Sequence, residues 1–422
     1  MANYKSELMK TLTERGFLYQ CTDEDALDAL AAKESVVGYI GFDCTAPSLH
    51  VGSLVQIMML RILQKSGGRP IVLIGGGTTK IGDPSDKDKS RPILTPEKIG
   101  ENKNGIQQVF SKFLDFDGPN GAIMADNADW LDKLGYIEFL RDIGKHFTIN
   151  KMIQLESVKR RIEREQPMTF LEFNYTLLQS YDYLELNRRH GCRLQLGGSD
   201  QWGNILGGAD LTRRIDSKEV YGFTTPLITT ASGGKMGKTA EGAVWLNADD
   251  RFGKEFVRSP YEYWQFWRNT EDADVGKFLK LFTDLPLGEI EALEALEGAD
   301  INKAKIRLAN EATKLLHGAS AAKSAEETAM KTFIGGGTAE GLPTFETSLD
   351  ELDSLLAVDA SLLCELCASK GEARRHIKAG ALKINDKPVS DPMTSFASED
   401  INDDGVIKLS VGKKRHALLK PV

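Results

Sequence analysis

Cysteine is scarce in this sequence. There are 5 in 422 residues, an odd number too small to staple a fold of that length. This excludes a disulfide scaffold and points to a reducing compartment, so the sequence predicts a cytoplasmic protein. Long apolar runs are missing as well: charges interrupt every such stretch well short of the ~20 residues of a membrane-spanning helix. The N-terminal stretch MANYKSELMKTLTERGF has no long apolar core and carries Glu7 and Glu14. It fits neither a secretory signal nor an acid-poor transit peptide. Gly and Pro number 40 and 14, far below a collagenous or low-complexity chain. Positive charge is not in excess either. The net is −8, which gives no global pull toward nucleic acid.

What is present is ordinary globular composition, 41% hydrophobic and 27% charged, over a length that suits two or three domains. The charge is unevenly spread. From Ser361 to Val422 there are 11 Lys/Arg against 8 Asp/Glu, leaving 42 against 53 in the remainder. A mildly basic tail on an acidic body fits a module that meets a polyanion, and on charge alone ordinary surface variation fits equally well.

Val36-Val37-Gly38-Tyr39-Ile40-Gly41-Phe42 reads as a strand and Val51 to Gln64 as a helix. Pro70 to Ile74, Gly121 to Ala125 and Arg193 to Leu196 read as further strands, with Phe170 to Leu186 helical. This alternation implies a doubly wound, Rossmann-like parallel sheet with right-handed crossovers, which binds ligands at the carboxyl ends of its strands. From Ser259 to Phe333 strand signals vanish and Ala, Leu, Glu and Lys recur at helical spacing. Ile334-Gly335-Gly336-Gly337-Thr338, with Gly341 and Pro343 behind it, reads as a flexible linker. Beyond it Leu352 to Gly380 reads as helical and Ala381 to Val389 as a strand and turn. The predicted division is an α/β domain over 1–228, a lysine loop and helical domain over 229–333, a linker over 334–351 and a small α+β domain over 352–422.

Three constellations carry chemistry. The first, Gly41 to Ser53 (GFDCTAPSLHVGS), begins where a strand ends and finishes where a helix begins. A helix start presents unpaired N–H groups and the positive end of a dipole, which suits phosphate. Gly52 lets a flat ring lie against the backbone, and Thr45 and His50 can donate to phosphate oxygens. A plain βα turn with a stray histidine would account for the same residues. The second, Lys235-Met236-Gly237-Lys238-Thr239, is either a mobile cationic clamp for a leaving polyphosphate or an exposed basic turn. In the third, Tyr175, Gln179 and Asp182 share a face of one predicted helix while Leu177, Leu178 and Leu184 supply the other. That polar stripe is either solvated or the wall of a pocket. The run Gly75-Gly76-Gly77 fits neither the P-loop nor the dinucleotide fingerprint and reads as close backbone packing.

In this order the first two segments resemble the HIGH and KMSKS signatures of class I aminoacyl-tRNA synthetases. Further segments are similar to the bacterial-type tyrosyl-tRNA synthetases over nearly the whole chain. They are Gly82-Asp83-Pro84-Ser85, Phe139 to Phe147 (FLRDIGKHF), Tyr175 to Tyr181 (YTLLQSY) with Asp182, Gly197 to Asn204 (GGSDQWGN), Ser259-Pro260-Tyr261 and Phe266-Trp267. The resemblance implies that Asp182 and Tyr39 bind the phenol hydroxyl of L-tyrosine. It implies that Thr78, Asp83, Tyr175 and Gln179 hold the α-ammonium group, with Gln195 and Gln201 close by. ATP, accompanied by Mg2+, is expected against Gly41, Asp43, His50, Gly52, Gly198, Lys235, Met236 and Lys238, with Asp200 on its ribose. Thr45, His50, Lys87, Arg91, Lys235 and Lys238 are expected to stabilise the charge that develops on the phosphates, without a covalent enzyme intermediate. One departure stands out: the family usually has His at the position of Ser53, where it helps hold the nucleotide sugar.

Lys370 to Gly380, followed by Lys383 to Lys387, is similar to the S4-like RNA-binding domain. Arg374, Arg375 and Lys378 cluster on one helical face there, which suits RNA phosphates. The resemblance implies tRNA(Tyr) and L-tyrosine as partners and a homodimer, while the interrupted apolar runs predict no membrane. Cys364 and Cys367 form a CxxC without a second pair or a nearby His, so they read as buried helix positions and no structural metal is expected. Three rivals stay open. A tryptophanyl enzyme shares the fold but has no use for Asp182 as a phenol acceptor. A small-molecule nucleotidylyltransferase would have no need of the helical and S4-like modules. An RNA-binding protein without catalysis would have no need of both lysines in 235–239.

Overall fold

The computed structural model describes residues 3–84, 94–231, 233–234, 236, 238–239, 242–247, 251, 253, 256–334, 342–402, 404–412 and 415–422. The chain divides into two compact units. One holds Met1–Lys238, Ala243–Val257 and Glu271–Ala304, and the other Thr239–Gly242, Arg258–Thr270 and Lys305–Val422.

The first unit is built on six strands: β1 (Gln20–Cys21), β2 (Val37–Asp43), β3 (Arg69–Gly75), β4 (Ile123–Asp126), β5 (Leu194–Gly198) and β6 (Tyr221–Thr225). Their order is β1-β6-β5-β2-β3-β4. All neighbours are parallel except β1, which pairs antiparallel with β6 through Gln20↔Thr224 and Cys21↔Phe223. β3 carries Ile71, Val72, Leu73 and Ile74, all buried, the continuous apolar run of a central parallel strand covered on both faces. From β2 the chain winds outward through β3 and β4, then returns to place β5 on the other side of β2. That reversal opens a crevice at the carboxyl ends of β2 and β5.

Four of the expected strands and the Val51 helix lie within two residues of their predicted bounds. β1 and β6 were not anticipated. In β6 the apolar pattern is interrupted by Gly222, where a Cβ would stand 2.3 Å from Ile205 Cγ2. Close packing of the Trp202–Asp216 helix therefore removed the side chain that would have marked the strand. The helix expected over Phe170 to Leu186 is two: Phe170–Phe173, opened by a Thr169/Glu172 capping box, and Tyr175–His190.

The expected boundary at 228/229 does not coincide with the edge of the first unit. Helix Val275–Phe282 buries Val275, Phe278, Leu279 and Phe282 and packs within that unit. Arg15 fixes its end: Nη1 donates to the carbonyls of Lys280 and Thr283 (both 2.9 Å) and Nη2 to that of Leu285 (2.5 Å). Arg61, on the Val51–Lys65 helix, adds a salt bridge to Asp284 at 2.6 Å. These contacts are long-range and leave no mark in local periodicity.

In the second unit, helices Pro260–Arg268, Ile301–His317 and Ala319–Ile334 match the expected helical pattern, although the first four residues of Ile301–His317 belong to the first unit. Trp264 Nε1 donates to Asn310 Oδ1 at 2.7 Å. A five-stranded sheet follows, ordered Lys387–Pro388, Leu382–Ile384, Ile407–Val411, Arg415–Pro421, Thr344–Thr347. The last of these lies inside the stretch expected as linker and pairs parallel with Arg415–Pro421. The predicted strand and turn is a hairpin whose two loop residues, Asn385 (φ 44°) and Asp386 (φ 65°), are left-handed, as a two-residue turn with the twist of its strands requires. The stretch read as one helix over Leu352 to Gly380 holds Ala357–Leu363 and Lys370–Lys378, with Leu349–Leu352 ahead of them. Among the described residues no helix is long and apolar enough to cross a membrane.

Candidate active site

The crevice between β2 and β5 is a cleft of about 650 Å³. One wall is the turn from β2 into the Val51–Lys65 helix, pinned at several points. Cys44 N–H donates to Thr79 Oγ1 at 2.8 Å, Asn102 donates to the Cys44 carbonyl at 2.8 Å, and Asn247 donates to that of Pro47 at 3.1 Å. His50 is the N-cap of the helix, and its Nδ1 accepts from Gly52 N–H at 3.0 Å. An acceptor role for Nδ1 places the neutral ring's proton on Nε2 and makes that atom a donor. Trp245 meets His50 edge to face, with ring centroids 6.0 Å apart. A Cβ on Gly52 would lie 2.6 Å from His50 Cε1 and 2.9 Å from the Met236 carbonyl. The space beside Gly52 is thus already filled by protein, a reason for glycine that does not involve a ligand.

The deep end of the cleft is polar and sealed from water. Asp182, 2% exposed, accepts from Trp130 Nε1 at 2.7 Å on Oδ1 and from Asn127 Nδ2 at 2.9 Å on Oδ2. Burial raises its carboxyl pKa to about 7; the two donors oppose that shift, and the charges of Asp43 and Asp126 add to it. Tyr39, 1% exposed, has a buried hydroxyl with no hydrogen-bond partner among the described residues. Burial and the Asp182 charge push its pKa well above the usual phenol value. The buried oxygens of Gln179 and Gln195 likewise lack a partner there. Such atoms cost free energy unless a ligand meets them.

Midway along the cleft, Asn127 Nδ2 also donates to Thr78 Oγ1 (3.0 Å), and Thr78 Oγ1 donates to Asp43 Oδ1 (3.0 Å). The N–H groups of Gly76 and Gly77 donate to Asp126 and Asn127, the close backbone packing expected of that glycine run. Opposite, Gln201 Nε2 donates to Asp83 Oδ2 and Asp200 Oδ2, both at 3.1 Å, and Gln179 Nε2 donates to Gln201 Oε1 at 3.2 Å.

The structure therefore brings Tyr39, Gly41, Asp43, Thr45, His50, Gly52, Thr78, Asp83, Tyr175, Gln179, Asp182, Gln195, Gly198, Asp200 and Gln201 to one cleft, which Ser53 also lines. The polar stripe of the Tyr175 helix is a pocket wall. Met236 is not among the lining residues; it is buried, with its carbonyl against Gly52. Lys87, Arg91 and Lys235 lie outside the described residues, and of Lys238 only the backbone is described. Asp182 already accepts from two protein donors, Asn127 and Trp130, in addition to any ligand hydroxyl. Neither of those residues stood out in the sequence. Both follow β4, and nothing in their spacing marks them.

Arg374, Arg375 and Lys378 are exposed together on the Lys370–Lys378 helix of the second unit. Cys364 and Cys367 are buried there as expected, but neither is a helix position: the Ala357–Leu363 helix ends before Cys364 and the next begins at Lys370. A histidine does stand close to Cys367, contrary to the sequence reading: donor atoms of Cys367, Glu372 and His376 lie within 4.8 Å of one another. The chain folds back through the helix to bring them together. Arg415 occupies the same corner, donating to Glu372 Oε1 at 3.3 Å with its Nη2 3.0 Å from His376 Nε2.

A family model described as "tRNA synthetases class I (W and Y)" matches residues 31–334. The chain is 58% identical over 423 residues to a tyrosine–tRNA ligase of Rhodopseudomonas palustris, covering all of both chains. It is 57% identical over 424 residues to one of Caulobacter vibrioides, covering 100% of this chain and 99% of the relative. Among solved structures, a C-terminally truncated mitochondrial tyrosyl-tRNA synthetase of Aspergillus nidulans superposes with a TM-score of 0.68 at 29% identity, over 78% of this chain and 94% of that one. An Archaeoglobus fulgidus tyrosyl-tRNA synthetase complexed with L-tyrosine shares the fold, with a TM-score of 0.54 at 17% identity over 75% of this chain and 99% of that one.

Proposed function

This chain belongs to the class I tRNA synthetases of the tryptophan and tyrosine type, and from that premise we propose that it is a tyrosine–tRNA ligase. It joins L-tyrosine to ATP as tyrosyl-adenylate with release of pyrophosphate, then passes the tyrosyl group to the 3′-terminal adenosine of tRNA(Tyr). The observation that carries the choice of amino acid is the deep polar end of the cleft. Asp182 and the Tyr39 hydroxyl lie buried there together, an acceptor and a donor–acceptor suited to a ring hydroxyl. An indole of tryptophan offers only an N–H donor and would leave the Tyr39 hydroxyl proton without an acceptor. Pyrophosphate exchange dependent on tyrosine, tryptophan and phenylalanine tests the reading, and exchange driven best by tryptophan would overturn it.

The remaining roles follow from charge and position. Thr78, Asp83, Tyr175 and Gln179 hold the α-ammonium group, Gln195 and Gln201 flank the amino acid, and Asp200 binds the ribose. Gly41, Asp43, Gly52 and Gly198 bound the nucleotide. Asp43, Asp83, Asp182 and Asp200 line the cleft, and among the described lining residues there is no Lys or Arg. A polyphosphate therefore needs cations from beyond them. We assign that work to Mg2+ entering with ATP and to Lys87, Arg91, Lys235 and Lys238, with Thr45 and the Nε2–H of His50 as neutral donors. Tyrosine carboxylate attacks the α-phosphorus directly. The protein lowers the barrier by alignment and by donors aimed at charge that grows in the transition state.

The Arg374, Arg375 and Lys378 face, on a small α+β unit of the S4-like kind, binds RNA phosphates, and the helical segment reads tRNA beside it. Tyr136, Ile137, Ile149, Ile162 and Phe170 are each more than half exposed. Apolar surface of that extent on one stretch of the first unit supports a homodimer. The cytoplasm, where charged tRNA is consumed, is the fitting compartment for a protein with five free cysteines.

A further inference from the structure

Asp182, Glu185 and Arg189 fall at i, i+3 and i+7 on the Tyr175–His190 helix, a single stripe. Trp130 lies along that stripe and touches both ends of it. Its Nε1–H donates to Asp182 Oδ1 at 2.7 Å, and Arg189 Cζ stands over its ring, 5.2 Å from the centroid. The arginine is itself fixed. Its Nε donates to Glu185 Oε2 at 2.9 Å, and Arg188 Nη1 donates to Glu185 Oε1 at 3.2 Å. Arg188 in turn grips Asp216 through Nε at 2.7 Å and Nη2 at 2.9 Å.

A half-exposed arginine is ordinarily a solvated charge. This one roofs an indole that is only 4% exposed and that has a single hydrogen-bonding atom. An indole whose N–H must reach one carboxylate oxygen loses the bond if the ring tilts or turns over. A cation seated on its face opposes both motions, and by drawing on the ring's electrons it strengthens the N–H as a donor. We propose that Arg189 is a positioning residue for recognition of the ring hydroxyl, acting through Trp130 to set the orientation and donor strength that hold Asp182. The inference rests on the tyrosine–tRNA ligase reading given above. It adds that amino-acid selection extends to an exposed arginine of the Tyr175–His190 helix that does not line the cleft.

The test compares Arg189→Ala, Arg189→Lys and Arg189→Gln with the parent, each checked first for unchanged thermal unfolding. Arg189→Gln keeps part of the stem over the indole and drops the charge, so it serves if the alanine variant does not fold. In tyrosine-dependent pyrophosphate exchange, Arg189→Ala and Arg189→Gln should raise KM for tyrosine by roughly two- to fivefold, the worth of a partly exposed cation over an indole. KM for ATP and kcat should stay at parental values. Arg189→Lys should restore KM for tyrosine. L-Phenylalanine, which has no ring hydroxyl, should inhibit all four proteins equally. An unmoved KM for tyrosine, an equal shift in phenylalanine inhibition, or failure of the lysine variant to rescue would each overturn the proposal. A parent protein without tyrosine-dependent exchange would instead overturn the functional reading beneath it.

Discussion

Replacing Asp182 by Asn puts a neutral, equally sized group where a carboxylate now accepts from Trp130 and Asn127. Asparagine can keep one of those bonds, but its NH2 then faces the other donor. For tyrosine, the loss is a hydrogen bond to a charged acceptor, worth about 1.5–3 kcal/mol, so kcat/KM should fall roughly 10- to 150-fold. For phenylalanine the carboxylate is a liability, because the ligand covers it without giving a donor. Its kcat/KM should hold steady or rise, and discrimination should narrow from both sides. The pH dependence is a second readout. Burial lifts the Asp182 carboxyl to about pH 7 from 3.8. The parent's kcat/KM for tyrosine should therefore decline as the pH falls through 7, and that limb should be absent from the variant. Stability should move in the opposite sense. Between pH 4 and 7 the native carboxyl keeps a proton that the unfolded one has released, so this group's contribution is present at low pH and lost as the pH rises through 7. From pH 5 to pH 8 the variant should gain on the parent by roughly 3 kcal/mol, taking 1.36 kcal/mol for each of about two pH units. Exchange assays with both amino acids and chemical unfolding at the two pH values check these statements. A variant that activates tyrosine within threefold of the parent, with the acid limb intact, would refute the assignment of Asp182.

Other consequences are as direct. His50→Asn retains an N-cap side chain but lacks the Nε2–H, so unfolding should change little while the exchange kcat drops by about 10²-fold; His50→Ala should add a stability loss of about 1 kcal/mol. In Gly52→Ala the new methyl presses on the His50 ring and the Met236 carbonyl. It should destabilise by about 1–3 kcal/mol and slow adenylate formation, seen by thermal unfolding and exchange together. A carboxylate introduced at the exposed Ile149 (Ile149→Glu) should shift sedimentation from dimer to monomer, and an unchanged sedimentation coefficient would remove that residue from the interface. The triple change Arg374→Ala, Arg375→Ala, Lys378→Ala should leave exchange intact but weaken tRNA binding, and should flatten the log–log salt slope by about 2–3.

The main sheet was legible because its strands are continuous apolar runs. Val37–Asp43 and Arg69–Gly75 appear within two residues of where the pattern of apolar residues puts them. β6 was hidden by Gly222, whose absent side chain is a packing requirement of the neighbouring helix and not a local signal. The cleft residues that came from motifs, such as His50, Asp182 and Gln201, do converge. Trp130 and Asn127 were invisible for a different reason. They act by touching Asp182 from a separate element some fifty residues earlier, and a contact across that distance has no periodicity to detect. The placement of Val275–Phe282 was unreadable for the same cause: an amphipathic helix states which face it buries, but not against what.

The chain leaves the first unit after Lys238, re-enters it for Ala243–Val257, leaves again, and returns for Glu271–Ala304. No single cut in the sequence can separate the two bodies. A fragment ending at Val257 would forfeit the carbonyls that satisfy the half-buried Arg15 guanidinium and the carboxylate that pairs with Arg61, leaving Arg61 only the Phe113 carbonyl among the described residues. Anyone seeking a minimal catalytic piece must carry the chain through Ala304, and a lineage that trimmed this protein would have faced the same constraint.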